Sequence, residues 1–91
     1  MANFNLGQVV MTAGVNNLLA EDIDFAKEVA SSLKKYVQGD WGDLCQDDKT
    51  LNEEALVHGE RIFAKYDIKP SIYIITERDR SVTTILFPSE Y

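Results

Sequence analysis

The stretch SIYIITERDRSVTTILFPSEY, Ser71 to Tyr91, restricts the fold more than any other. Ile72–Thr76 and Val82–Phe87 are rich in β-branched and aromatic residues, which suit a pleated, half-buried surface, and the polar Glu77-Arg78-Asp79-Arg80-Ser81 between them turns the chain. A β-hairpin follows. Just upstream, Arg61–Ile68 alternates, with Ile62, Ala64, Tyr66 and Ile68 on one side and Arg61, Lys65 and Asp67 mostly on the other. That is the pattern of a strand, with a helix continuing through Gly59 to about Lys65 as its competitor. If Asp67-Ile68-Lys69-Pro70-Ser71 turns, this strand and the hairpin make a three-stranded antiparallel meander.

Helical spacing governs the first half. Asp22 to Gln38 places Ala26, Val29, Ala30, Leu33 and Tyr36 or Val37 on one stripe. Glu21, Asp22 and Asp24 stand where the helix dipole favours negative charge, Lys34 and Lys35 where it favours positive, and Gly39 suits a left-handed close. Before it, Thr12-Ala13-Gly14 offers a turn or N-cap, and Val15–Ala20 fits a short helix presenting Val15, Leu18 and Leu19. Leu6–Thr12 reads as a strand or a strand-like arm. A third helix runs to about His58 with Leu51 and Ala55 inward, capped by Asp47 or Asp48, or two residues later by the Thr50/Glu53 capping box; Gly59 permits a break. The fold class is therefore α+β: N-terminal helices packed on a C-terminal three-stranded antiparallel meander, in one domain spanning 1–91.

Pairing Thr76 with Val82 puts Ile72, Ile74, Val82 and Leu86 on one sheet face with Thr76 and Thr84. Tyr73, Ile75, Ile85 and Phe87 then share the other with Glu77 and Thr83. Both faces carry large apolar groups, so a second cover is expected from the N-terminal segment, the third helix or a second subunit, a homodimer through that face.

Ninety-one residues support one modest core, and 45% hydrophobic with 26% charged residues is ordinary globular composition. Fifteen acidic against nine basic residues give −6, the wrong sign for general nucleic-acid binding, which needs Lys and Arg against phosphate. Negative charge suits solubility or a partner with a basic surface. A single cysteine, Cys45, forms no internal disulfide, and no apolar run approaches a membrane span, so a cytoplasmic protein with no membrane partner is expected.

Three features invite a chemical role. The loop Gly39–Asp48 carries Asp40, Asp43, Asp47 and Asp48, but its spacing does not match an EF-hand, so no metal or other cofactor is expected. Trp41, between two Gly and two Asp residues, is either a core plug or an exposed anchor for a basic partner. At the hairpin tip, Glu77, Arg78, Asp79 and Arg80 alternate in sign; they form a solvated turn, an Arg gripping a carboxylate or phosphate, or an Asp79–Arg pair pinning the loop. These nine residues are the candidate partner-binding set, with no catalytic residues among them. His58 and Cys45 make a nucleophile pair only if the fold brings them together. Neither a phosphate-binding Gly loop, a Ser nucleophile elbow nor a zinc pattern is present.

Gly39-Asp40-Trp41-Gly42-Asp43, Ile74–Ser81, Thr83–Tyr91 and Leu6–Val10 together resemble a family of small bacterial proteins described as "plasmid related protein", some labelled type I restriction endonuclease subunit M. The resemblance spans nearly the whole chain and brings no established catalytic residues. The glycine motif of a methyltransferase cofactor site is missing. It implies an accessory of plasmids and other mobile elements that counters host defence: a non-enzymatic inhibitor of a restriction or CRISPR nuclease, with carboxylates in place of phosphates. A toxin-like ribonuclease using Glu77, Arg80 and His58 is the enzymatic alternative, and a self-associating structural module is the third.

Overall fold

The computed structural model describes residues 4–91. Strand β1 (Gln8–Met11) leads into helices α1 (Ala13–Glu21), α2 (Ile23–Val37) and α3 (Gln46–His58). Strands β2 (Ile62–Tyr66), β3 (Ile72–Thr76) and β4 (Val82–Leu86) and a short 3-10 turn (Pro88–Glu90) follow. The chain is α+β, with the meander β2–β3–β4 in place. The sheet, however, has four strands in the order β1-β4-β3-β2, because the Leu6–Thr12 run is a strand lying parallel to β4. The three-stranded expectation is corrected by a pairing between segments more than 70 residues apart, which no local pattern announces.

Within Arg61–Ile68 the strand reading holds, over Ile62–Tyr66, since Gly59 at φ +68 ends α3 in the left-handed region and Ile62, Ala64 and Tyr66 then alternate into the core. The register corrects the face assignment. Thr76 pairs with Thr83, not Val82, so β4 is turned over: Thr83 and Ile85 join Ile62, Ala64, Tyr66, Ile72, Ile74 and Thr76 on the inner face, all buried. Phe63, Tyr73, Ile75, Val82, Thr84 and Leu86 form the second face. One residue of slip reverses every side chain.

Thr12 caps α1, accepting from the Val15 amide, and Asp22 caps α2, accepting from Asp24 and Phe25. The buried stripe of α2 is Phe25, Val29, Ser32 and Tyr36, one position round from the predicted one, and Ala30 is exposed. Ser32 faces inward at no polar cost because its hydroxyl donates to the Glu28 carbonyl. Helix α3 begins earlier than expected. Cys45, not Asp47 or Asp48, is its N-cap, and Thr50 bonds back to the Gln46 carbonyl instead of forming a capping box. Leu51 accordingly points outward, 60% exposed, while Ala55 and Asn52 face in.

A line of hydroxyls crosses the core. Thr83 donates to the Leu6 carbonyl (2.7 Å), so its oxygen accepts from Thr76 (2.7 Å), and Thr76 in turn accepts from Tyr36 (2.7 Å). Each hydroxyl has one proton, and the carbonyl at the end can only accept, which fixes the direction of every bond. Burial around Tyr36 raises its pKa above the ordinary phenol value.

The two sheet borders differ. Along β2, the Asn52 amide donates to the Phe63 carbonyl (2.6 Å) and accepts from the Phe63 amide (3.2 Å), as a neighbouring strand would. Asp43 continues the cover: its amide reaches the Lys65 carbonyl (2.8 Å) and its carboxylate takes the Asp67 amide (2.8 Å). At the opposite border β1 is the last strand, and Met1–Ala20 contains no charged side chain. On the second face, Tyr91 lies against Phe63 and Tyr73, with ring centroids 6.0 and 5.7 Å apart, and Ile75 and Leu86 are 5% and 7% exposed. The N-terminal segment does not cover that face but extends it beside β4, with Gln8 and Val10 in register with Val82 and Thr84, while Phe4 packs with Tyr36 and Trp41 in the helix-covered core.

Candidate functional site

The loop between α2 and α3 is held by its own polar groups. Asp40 accepts from the Gly42 amide, and its carbonyl accepts from the Tyr66 hydroxyl at 2.6 Å. Burial first, then the nearby Asp40 charge, pushes the Tyr66 pKa up. Gly42, at φ +73, lies so close to the Lys65 carbonyl and the Tyr66 ring that a Cβ has no room there. Trp41 is the plug of the two readings. It is 2% exposed, packs edge-on to Tyr36 (5.6 Å, 77°) and donates its indole N–H to Glu53 (2.7 Å). Trp41 therefore offers no free ring to a partner, and Asp43 is committed to the β2 border.

Two of the four tip residues are also committed internally. Asp79 accepts from the side chain and amide of Ser81 (2.6 and 3.0 Å), which lowers its pKa. Arg80 takes a left-handed φ of 60° and aims its guanidinium at three carbonyls, those of Glu60 (2.6 Å), Ala55 (3.2 Å) and Glu77 (3.2 Å). It thus ties the hairpin to the C-terminal end of α3, adding a side-chain donor to the Ala55 carbonyl, which already accepts from the Gly59 and Glu60 amides. Of the three readings of the tip, the pinned loop is the one seen, although each residue pins it through Ser81 or backbone groups and not through an Asp79–Arg80 ion pair. Glu77 and Arg78 remain exposed.

The enzymatic alternative draws no geometric support. Cys45 and His58 stand at opposite ends of α3, about 20 Å apart at 1.5 Å per residue. The hollow nearest the tip is lined by Glu60, Arg61, Glu77 and Arg78, without His58, and Arg80 is occupied by carbonyls. Among the described residues no group of three or more His, Cys, Asp or Glu side chains is arranged to hold a metal. No described helix is long and apolar enough to cross a membrane.

What the fold assembles instead is a charged helix with hollows on both sides. Asp47 and Asp48 occupy the first turn of α3, where the dipole favours them. Asp40, Trp41, Lys49 and Glu53 line one hollow; Asp48, Leu51, Glu54, Ala55, Glu60, Arg61 and Phe63 line another of about 350 Å³. The latter shares Glu60 and Arg61 with the hollow at Glu77 and Arg78, so Asp48 and the hairpin tip belong to adjoining surface.

Residues 40–60 contain seven carboxylates and one lysine, a balance of −6, equal to that of the whole chain. The other 70 residues are neutral, with eight of each sign. Among the described residues only Lys65 and Asp67 form an ion pair (3.5 Å), and it lies outside this segment. Glu53, Glu54, Glu60 and Arg61 were not in the predicted set; a running charge sum along the sequence finds the three acids, whereas Arg61 joins only through the sheet. The chain matches no family model, no curated protein and no solved structure.

Proposed function

We propose that this chain is a non-enzymatic, acidic partner-binding accessory protein of a mobile element, acting in the cytoplasm as an inhibitor of a host defence nuclease of the restriction or CRISPR type. Its α3 carboxylates stand in for nucleic-acid phosphates against a basic protein surface, without direct nucleic-acid binding. The observation supporting this reading is the gathering of the entire net charge into residues 40–60, with no ion pair among the described residues to cancel it. Exposed carboxylates that outnumber the cations beside them and form no ion pair with them leave a field that a basic channel can meet, and such an interaction weakens steeply as salt rises. The resemblance to plasmid-related proteins supplies the biological setting.

The test is retention of a protein from host lysate on the immobilised domain at low and at 1 M salt, alongside D47N/D48N/E54Q. Charge-driven capture is lost at high salt and in the triple variant. A partner retained equally under all conditions would overturn the reading.

A self-associating structural module is the second reading, favoured by the uncharged border strand β1. Sedimentation equilibrium decides it: a chain that stays monomeric at millimolar concentration is not such a module.

A further inference from the structure

The hollow between α3 and β2 differs from the rest of the acidic surface in its floor. Leu51, 60% exposed, faces it together with Ala55 and the half-buried Phe63, and the carboxylates of Asp48, Glu54 and Glu60 stand around them. A surface meant only for hydration gains nothing from an outward leucine beside a phenylalanine. Val57 provides an internal comparison: it is 79% exposed on the same helix but does not line this hollow.

The one cation present, Arg61, donates to the Tyr91 hydroxyl (2.9 Å) and lies 5.5 Å from the centre of that ring. It makes no ion pair with the acids around it. An incoming positive group therefore displaces no resident partner from Asp48, Glu54 or Glu60.

We propose that this hollow receives a segment of the partner in which one large apolar side chain is flanked by Lys or Arg. The apolar side chain sits over Leu51, Ala55 and Phe63 while the flanking cations meet the acidic rim. The volume, about 350 Å³, is at the lower end for pockets that hold a ligand and suits one or two side chains. Charge sets approach and orientation, and the apolar anchor sets which basic segment is retained. This rests on the partner-binding reading and adds to it a recognition rule that phosphate mimicry alone lacks.

The test is a titration of the isotopically labelled chain with the peptide acetyl-Lys-Lys-Leu-Lys-Lys-amide, followed by amide shifts. Two control peptides replace the leucine by serine or every lysine by glutamine. Saturable shifts are expected at Leu51, Ala55 and Phe63, weakened about ten-fold or more by the serine control, as the loss of a buried leucine requires. L51S should abolish them and V57S should leave them intact, both substitutions lying on exposed positions that the fold does not use. Equal binding of the leucine and serine peptides would overturn the anchor while leaving charge-driven capture standing. Absence of saturable shifts at these amides would also overturn it, independently of the salt dependence of lysate retention.

Discussion

Replacing Thr83 by valine tests whether the buried hydroxyl line runs in the direction its chemistry requires. Thr83 and Thr76 are fully buried, and the substitution keeps the side-chain shape while removing the hydroxyl that accepts from Thr76 and donates to the terminal Leu6 carbonyl. The Leu6 carbonyl loses its donor and the Thr76 proton loses its acceptor. At about 1–3 kcal/mol for each of the two stranded groups, the loss is about 2–6 kcal/mol. Tyr36→Phe acts at the head of the line, where only a donor disappears and Thr76 still donates to Thr83. Its cost is therefore about 0.5–1.5 kcal/mol.

For a domain of this size each kcal/mol lowers Tm by about 4–8 °C, so the two variants separate by several degrees. Urea unfolding followed by fluorescence of Trp41, the sole tryptophan and 2% exposed, gives the midpoints, with the slope expected unchanged. Thr83→Ser retains the hydroxyl and the line, so its loss should be confined to that of one buried methyl and fall below that of Thr83→Val. A Tyr36→Phe variant as destabilised as Thr83→Val would refute the assigned direction.

Asn52→Ala removes both bonds to Phe63 on the β2 border, and a loss of about 2–3 kcal/mol is expected in the same unfolding assay, against less than about 0.5 kcal/mol for the neighbouring Leu51→Ser. High pH should also unfold the chain. Tyr36 and Tyr66 both have pKa values raised above the ordinary 10.0 by burial, so the folded state holds their protons more tightly than the unfolded state does. Their contribution is fully present below pH 10 and is lost above it, by about 2.7 kcal/mol per pH unit while both remain protonated in the fold. A stability profile flat from pH 9 to 11.5 would contradict this.

The parts of the fold that local chemistry dictates are the ones legible in the sequence. Asp22, the Lys34-Lys35 pair and the apolar spacing mark α2, and the β-branched runs around Glu77–Ser81 mark the hairpin. Its register was not legible, because Ile and Val populate both faces of β3 and β4 and so give no preference for either parity. The left-handed Arg80, held by carbonyls of α3, is part of the tip that sets the pairing, and nothing around it in sequence signals that conformation. Asn52 reads as an ordinary polar helix residue until β2 lies beside it. At the site, the aspartates attracted notice as a run, yet Asp43 is a border cap and the surface beside it depends on Glu54, Glu60 and Phe63, which the fold assembles from two elements.

The unequal borders of the sheet limit how far it can grow. Among the described residues β1 is the border strand with no further strand beside it, while the β2 side is filled by the Asn52 amide and by Asp43. Two copies joined head to head at β1 would therefore expose only sealed ends, and growth would stop at the pair. A sheet bare on both sides has no such stop and can extend into a ribbon; here a few polar atoms on α3 and its preceding loop deny polymerisation its second contact.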